Sequence, residues 1–347
     1  MSRALPADVI PVIFCFDVEP DAFFIHPGQR DPWPGFEATF AFVERMRPRW
    51  EALTGRAARF NWFLRLDPQI EYTYGDAAWV LRHYEREFAV LQSHADELGI
   101  HPHGYRWDAS ESGWVLDYAN QSWVDHCVQS SAEHFARALG RPCRAFRGGD
   151  RWINQATAAL VRRLGITYDL TLEPGHTEEA PNHPGERVTG TIPDMRRVPL
   201  TPYRPHDDDY QQADSAGLNG SGVTGSGVTG SGANGSGGSG TFWTIPLSTA
   251  RINPGLTRQV YYRFRYPGRQ FAVWTALFSH HPAMFERIVA GVLARPRPYL
   301  AIPMRTNALA DPRIAPRVAA NLETLLRMLG SRAAAVVTPA DAITLLC

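Results

Sequence analysis

Apolar positions along this chain recur in two rhythms. Val12 to Phe16 is a continuous apolar run that predicts a buried strand, and it ends in acids at Asp17, Glu19 and Asp21. Glu37 to Leu53 carries Phe40, Val43, Met46, Trp50 and Leu53 at mostly helical spacing and predicts an amphipathic helix. Arg59 to Leu66 reads as a second strand. Asp76 to Leu98 reads as a long helix capped by Asp76 and stopped by Gly99. Helices over Ser122 to Leu139 and Asn154 to Leu164 flank Arg144–Gly149, and Ile166 to Leu170 follows as another strand. Downstream, Val198-Pro199-Leu200 and Phe242 to Pro246 read as short strands, and Phe271 to Phe278 as an apolar element. A helix over Pro282 to Leu293, a strand over Tyr299 to Met304, a helix over Ala315 to Leu329 and a last strand over Ala334 to Val337 complete the pattern. Alternation of strand and helix predicts a parallel α/β architecture, whose chemistry collects at the C-terminal strand ends.

One stretch breaks both rhythms. Residues 215–240 hold Gly at 11 of 26 positions in Ser-Gly-Val-Thr-Gly and Asn-Gly-Ser-Gly repeats, a composition that cannot bury a core. Strand-like segments on both sides make it a disordered insertion within a single domain spanning 1–347. Composition narrows the partners. Lys+Arg and Asp+Glu are 35 each, which gives no global field for nucleic acid or an anionic membrane. Four scattered cysteines without CxxC spacing support neither a zinc knuckle nor a disulfide framework. With no signal-like start and no apolar run near the ~18 residues of a membrane span, the expectation is a cytoplasmic protein with a small-molecule or saccharide substrate.

Acids at the mouth of a buried strand are expensive to desolvate, so they need a cation, a partner or a catalytic role. Residues two apart on an extended strand share a face, which lets Asp17 and Glu19 point into one site. Caps or partners for a nearby Arg are the bland alternative. His101-Pro102-His103 places two imidazoles on one side of an extended segment, close enough to share a cation. Two His and a carboxylate suit Zn²⁺, with Fe²⁺, Co²⁺ or Mn²⁺ as alternatives. Arg147 before Gly148-Gly149 is suited to orienting a carboxylate where backbone approaches a ligand. Ser279-His280-His281-Pro282 opens a helix, and its imidazoles read equally well as solvent-facing.

Taken in order, these pieces resemble the polysaccharide deacetylase family (carbohydrate esterase family four, the chitooligosaccharide-deacetylase homology domain). Phe16-Asp17-Val18-Glu19 looks like its first motif, and Leu98 to Tyr105 like its second. Phe146-Arg147-Gly148-Gly149 matches the third, and Gly165 to Asp169 looks like the fourth. The resemblance covers Val9 to Leu170. It implies a distorted (β/α) barrel of about seven strands with a metal at the C-terminal strand ends. It also implies metal-assisted removal of an acetyl group from an N-acetylated sugar or related small amide. In that reading Asp17 is the base, Arg147 orients it, and Glu19, His101 and His103 hold the metal. Tyr105, Trp107 and Arg305 would meet substrate, and aromatics at the mouth such as Phe23, Phe24, Trp33 and Trp152 would stack on a sugar.

Two departures stand out. The second family imidazole of motif two falls on Trp107, so His101 and His103 must supply both. The late-strand position of the acid His falls on Arg305, which leaves His281 or solvent to protonate the leaving amine. These departures motivate two further readings: a relative that hydrolyses a non-sugar amide or cyclic imide, and a degenerate, non-catalytic binding member.

Overall fold

The computed structural model describes residues 9–22, 25–181, 187–214, 242–252, 260, 264 and 273–347. In chain order the first half comprises β1 (Ile10–Val18), α1 (Pro34–Thr54), β2 (Asn61–Leu64), α2 (Pro68–Tyr74), α3 (Trp79–His83), α4 (Glu85–Ser93) and β3 (Glu97–Ile100). Then come β4 (Tyr105–Asp108), β5 (Gly113–Asp117), α5 (Gln121–Leu139), β6 (Ala145–Phe146), α6 (Gln155–Arg163) and β7 (Tyr168–Asp169). The rest holds β8 (Arg187–Thr189), β9 (Trp243–Thr244), β10 (Thr249–Arg251), β11 (Val273–Thr275) and α7 (Pro282–Leu293). It ends with β12 (Leu300–Arg305), α8 (Ala315–Leu329), β13 (Ala334–Val336) and α9 (Pro339–Leu346).

The main sheet is parallel, in the order β12-β1-β2-β3-β6-β7-β9, with β13 added beside the first residues of β1. It curls into a distorted (β/α) barrel. The seam is laced by the segment after β9: Ile245 N–H donates to Asp169 O, Leu247 N–H to Leu172 O, and Ser248 N–H to Ala301 O at 2.9 Å. Chain from beyond residues 215–240 thus lies between β7 and β12. Residues 215–240 themselves fall outside the described residues, as do Phe23 and Phe24.

Side-chain parity explains how the barrel fills. Ile13 and Cys15 on β1 join Phe63, Ala145, Leu170, Tyr299 and Ala301 in an inner cluster, while Val12, Phe14, Phe16 and Val18 face the helices. Large inner rings such as Phe63 and Tyr299 leave room only for small neighbours such as Gly99 and Ala145. A Cβ on Gly99 would sit 2.5 Å from Ala145 O and 2.8 Å from the Phe63 ring. The outer layer is a large apolar cluster in which Trp33, Phe36, Trp50 and Trp62 pack under α1 and its neighbours, and burial of this kind drives folding.

The expected helix over Asp76–Leu98 is two short helices and the start of a strand. Asp76 does not cap a helix: it accepts from Ala78 N–H in the turn ahead, and the first short helix begins at Trp79 without a side-chain cap. Tyr84 then breaks the helix, because its hydroxyl turns inward to accept from Trp33 N–H at 2.7 Å and meet Glu37 at 2.9 Å. Asp96 ends α4 by binding Arg47, Phe60 N–H and Trp62 Nε1 in the core, so Glu97 opens β3 beside β2 and Gly99 lies inside that strand. These tertiary bonds override helical periodicity. Residues 198–200 form no strand. A small sheet, β4-β5-β8, stands apart from the barrel. Among the described residues no helix is long and apolar enough to cross a membrane.

Candidate active site

The inner parity of β1 runs on past its end. Asp17 and Glu19 continue the Ile13–Cys15 face and emerge at the barrel's C-terminal mouth, 4% and 1% exposed. Asp21 turns away and accepts from Gly35 N–H at the start of α1. Parallel neighbours deliver the other groups at the same level: Arg65 after β2, His101 and His103 after β3, Arg147 after β6 and Arg305 at the end of β12. All of these but Arg65, which lies behind Glu19, line a cavity of about 340 Å³ together with Asp150, Arg151, Glu173, Leu277, Phe278, Met304 and Asn307. One wall is charged. The other is apolar, from Leu277, Phe278, Pro303, Met304, Ala308 and Ile314.

Arg147 Nε donates to Asp17 Oδ1 at 2.7 Å, and its NH1 donates to Leu170 O at 2.9 Å. Thr306 Oγ1 donates to Asp17 O at 3.1 Å. The carboxylate at the strand end is therefore held in one orientation from the side chain and from the backbone.

The two imidazoles have readable tautomers. His101 Nδ1 lies 2.7 Å from Arg147 O, a carbonyl that only accepts, so that nitrogen carries the proton and Nε2 presents a lone pair. Burial, partly offset by Asp17, pulls the His101 ring down to about 4, which keeps it neutral. His103 Nδ1 donates to Asp150 Oδ2 at 3.0 Å, which aims His103 Nε2 at His101 Nε2, 3.2 Å away, and at Glu19 Oε2, 3.5 Å away. Burial and Arg65 pull His103 down as well, but the charge of Asp150, its bond to Nδ1 and the Glu19 carboxylate 3.5 Å away outweigh them, so this ring takes up a positive charge more readily than usual. Glu19 Oε2 is buried without a hydrogen-bond partner among the described residues. Burial pushes the Glu19 carboxyl up, yet Arg305 and the two histidines prevail and hold it well below the usual carboxylate range. With both rings neutral, the two Nε2 lone pairs and the Glu19 carboxylate oxygen, all within 4.8 Å of one another, form a donor set that fits a divalent cation, whose binding would displace the proton that His103 otherwise takes up.

Local sequence makes this geometry affordable. Gly149 lies against the His103 ring, where a Cβ would come within 2.4 Å of Cδ2 and Cγ. Asp150 and Arg151 both have positive φ, 51° and 64°, an uncommon pair that aims one side chain at His103 and the other along the cavity wall.

Not every expected residue is present. Tyr105 is fully buried, stacked on His103 at 5.6 Å, and does not line the cavity. Trp107 sits on β4, packed on Tyr72 and Trp114, outside it. His281 is an exposed residue at the N-terminus of α7, and His280 Nε2 is turned onto Thr275 O. Trp33 is core, and Trp152 stacks on Tyr118. Three residues that sequence reasoning left without a role belong to the cavity: Asp150, Arg151 and Glu173. Glu173 accepts from Thr275 Oγ1 at 2.6 Å and from Arg151 at 3.3 Å; burial pushes its carboxyl up, but Arg151 and His176 outweigh that and keep it low. The available signal for Asp150 was its place directly after Arg147-Gly148-Gly149.

No family model matches the sequence, and no curated protein does. Solved structures of similar shape include a Mycobacterium smegmatis protein assigned as a polysaccharide deacetylase. It is 12% identical with a TM-score of 0.46, covering 98% of this chain and 90% of that one. Puue allantoinase is 10% identical with a TM-score of 0.46 and the same coverage. A family 4 carbohydrate esterase from Streptomyces lividans is 12% identical with a TM-score of 0.29, covering 48% of this chain and 66% of that one.

Proposed function

We propose that this chain is a metal-dependent amidohydrolase of the polysaccharide-deacetylase kind, removing an acetyl group from an N-acetylated sugar or a related small amide. One observation carries the reading: an Arg-clamped carboxylate, Asp17, and a three-donor set, Glu19, His101 and His103, open into one cavity at the strand ends. Three protein donors leave positions free for water and substrate, the usual arrangement of a catalytic rather than a structural site. A divalent cation held there, with zinc first and iron, cobalt or manganese as alternatives, supplies Lewis acidity toward an amide oxygen and toward water.

The chain's own groups do the rest. Arg147 holds Asp17 in the orientation of a general base for the attacking water. The apolar wall around Phe278 and Met304 accepts a methyl or a ring face, and Arg151 with Glu173 offers polar contacts opposite. Arg305 stands where the family resemblance puts an acid, and a guanidinium gives up no proton at ordinary pH. His281 lies outside the cavity, so the proton for the leaving amine comes from protonated Asp17 or from solvent.

Metal analysis together with an acetate-release screen over acetylated sugars, sugar nucleotides, simple acetamides and cyclic imides tests the reading. Near-stoichiometric metal, lost in His101→Ala, with turnover of an N-acetyl substrate is the expected result. Protein that takes up no divalent metal after reconstitution removes the enzymatic reading and leaves a binding protein. Turnover confined to cyclic imides moves the substrate class.

A further inference from the structure

Arg305 is more than a missing histidine. It ends β12 opposite Asp17 in the sheet register, and its Nε donates to Glu19 Oε1. That bond leaves Glu19 Oε2 as the oxygen facing the histidines. A second guanidinium, Arg65, lies 3.8 Å from Oε2, but it is 1% exposed and tied to Asp67 and Gln69. The two cations differ in freedom: the Arg305 side chain is 30% exposed at the cavity mouth, whereas Glu19 beneath it is 1% exposed. Counting the fixed charges around the donor set, Asp17, Glu19, Asp67 and Asp150 face Arg65, Arg147 and Arg305, so Arg305 cancels much of what a divalent ion would bind.

We propose that Arg305 is a built-in competitor for the metal: its guanidinium neutralises Glu19 in the metal-free protein and holds down the affinity of the Glu19–His101–His103 set. A buried carboxylate without a counter-charge is strongly destabilising, so the metal-free fold needs such a partner. The same positive charge repels an arriving dication, and only Arg305 has solvent to move into. The metal is then weakly held and exchangeable. The inference rests on the metal-dependent reading above.

Calorimetric titration of Zn²⁺ and of Mn²⁺ into chelator-treated protein tests it, in wild type, Arg305→Gln and Arg305→Lys, with thermal melts alongside. Arg305→Gln should lower the metal-free Tm and tighten Kd by ~tenfold or more, with a larger metal-induced rise in Tm. Arg305→Lys retains the charge and should stay within about threefold of wild type. Wild type and Arg305→Gln binding with equal affinity would sink this inference alone, and a Lys variant binding as tightly as the Gln variant would do the same. Absence of binding in all three proteins would overturn it together with the metal-dependent reading.

Discussion

Arg147 Nε meets Asp17 Oδ1 at 2.7 Å, joining two strand ends that lie 130 residues apart in the chain. A bond of this kind, between a buried guanidinium and a buried carboxylate, fixes the direction in which the acid faces the cavity.

Asp17→Asn should therefore keep the metal and lose turnover, by about 10²- to 10⁴-fold in kcat. Arg147→Lys loses the bond made through Nε while its backbone carbonyl still holds His101. It should lose at least ~tenfold in kcat with metal content intact. Steady-state acetate release with elemental analysis of the same samples checks both. Metal lost from Asp17→Asn would instead make Asp17 a ligand.

Asp150 accepts from His103 Nδ1 at 3.0 Å and from Tyr118 hydroxyl at 2.9 Å, so it aims the imidazole without facing the donor set itself. Asn tolerates the positive φ of 51° at this position, so Asp150→Asn should leave the backbone in place. Metal affinity should fall about 10- to 100-fold, as for other carboxylates behind a ligating histidine. Chelator competition measures it, and unchanged affinity would remove Asp150 from the site.

The acidic mouth was legible because side-chain parity is a local property. Asp17 and Glu19 simply continue the inward positions Ile13 and Cys15, and the imidazole pair, two residues apart just beyond the end of β3, obeys the same rule. Trp107 was not legible. Its fate is set by the β4–β5 pairing, which carries it onto Tyr72 and away from the cavity. Asp150 and Arg151 depend on two consecutive left-handed residues, which no periodicity announces, and Glu173 reaches the cavity from a stretch without rhythm. The break at Tyr84 arose from a hydroxyl bonded to Trp33, 51 residues earlier.

Gly149→Ala tests the close approach beneath His103. The added Cβ would fall 2.4 Å from the ring, which Asp150 on one side and Glu19 on the other keep from yielding. Overpacking of this sort costs about 1–3 kcal/mol, so a lower midpoint in urea and loss of bound metal are expected together. A variant with wild-type stability and metal content would show that the ring has room.

Asp169 offers a pH test away from the donor set. Its carboxyl accepts from Thr171 N–H at 3.0 Å on β7 and is 1% exposed. Burial raises it to about 6, against which the Thr171 bonds and Arg147 act only in part. The unfolded chain releases this proton near 3.9, so between about 4 and 6 the folded state binds more protons and stability falls as pH rises. Below that window the carboxyl is neutral in both states and costs nothing; above it the full penalty applies, on the order of 2–3 kcal/mol. Asp169→Asn keeps an acceptor for Thr171 and has no charge to bury. Its denaturation midpoint should exceed that of the parent at pH 8 and converge on it near pH 4. A stability difference that stays constant across that range would show that the Asp169 carboxylate is stabilised in the fold as well as it is in water.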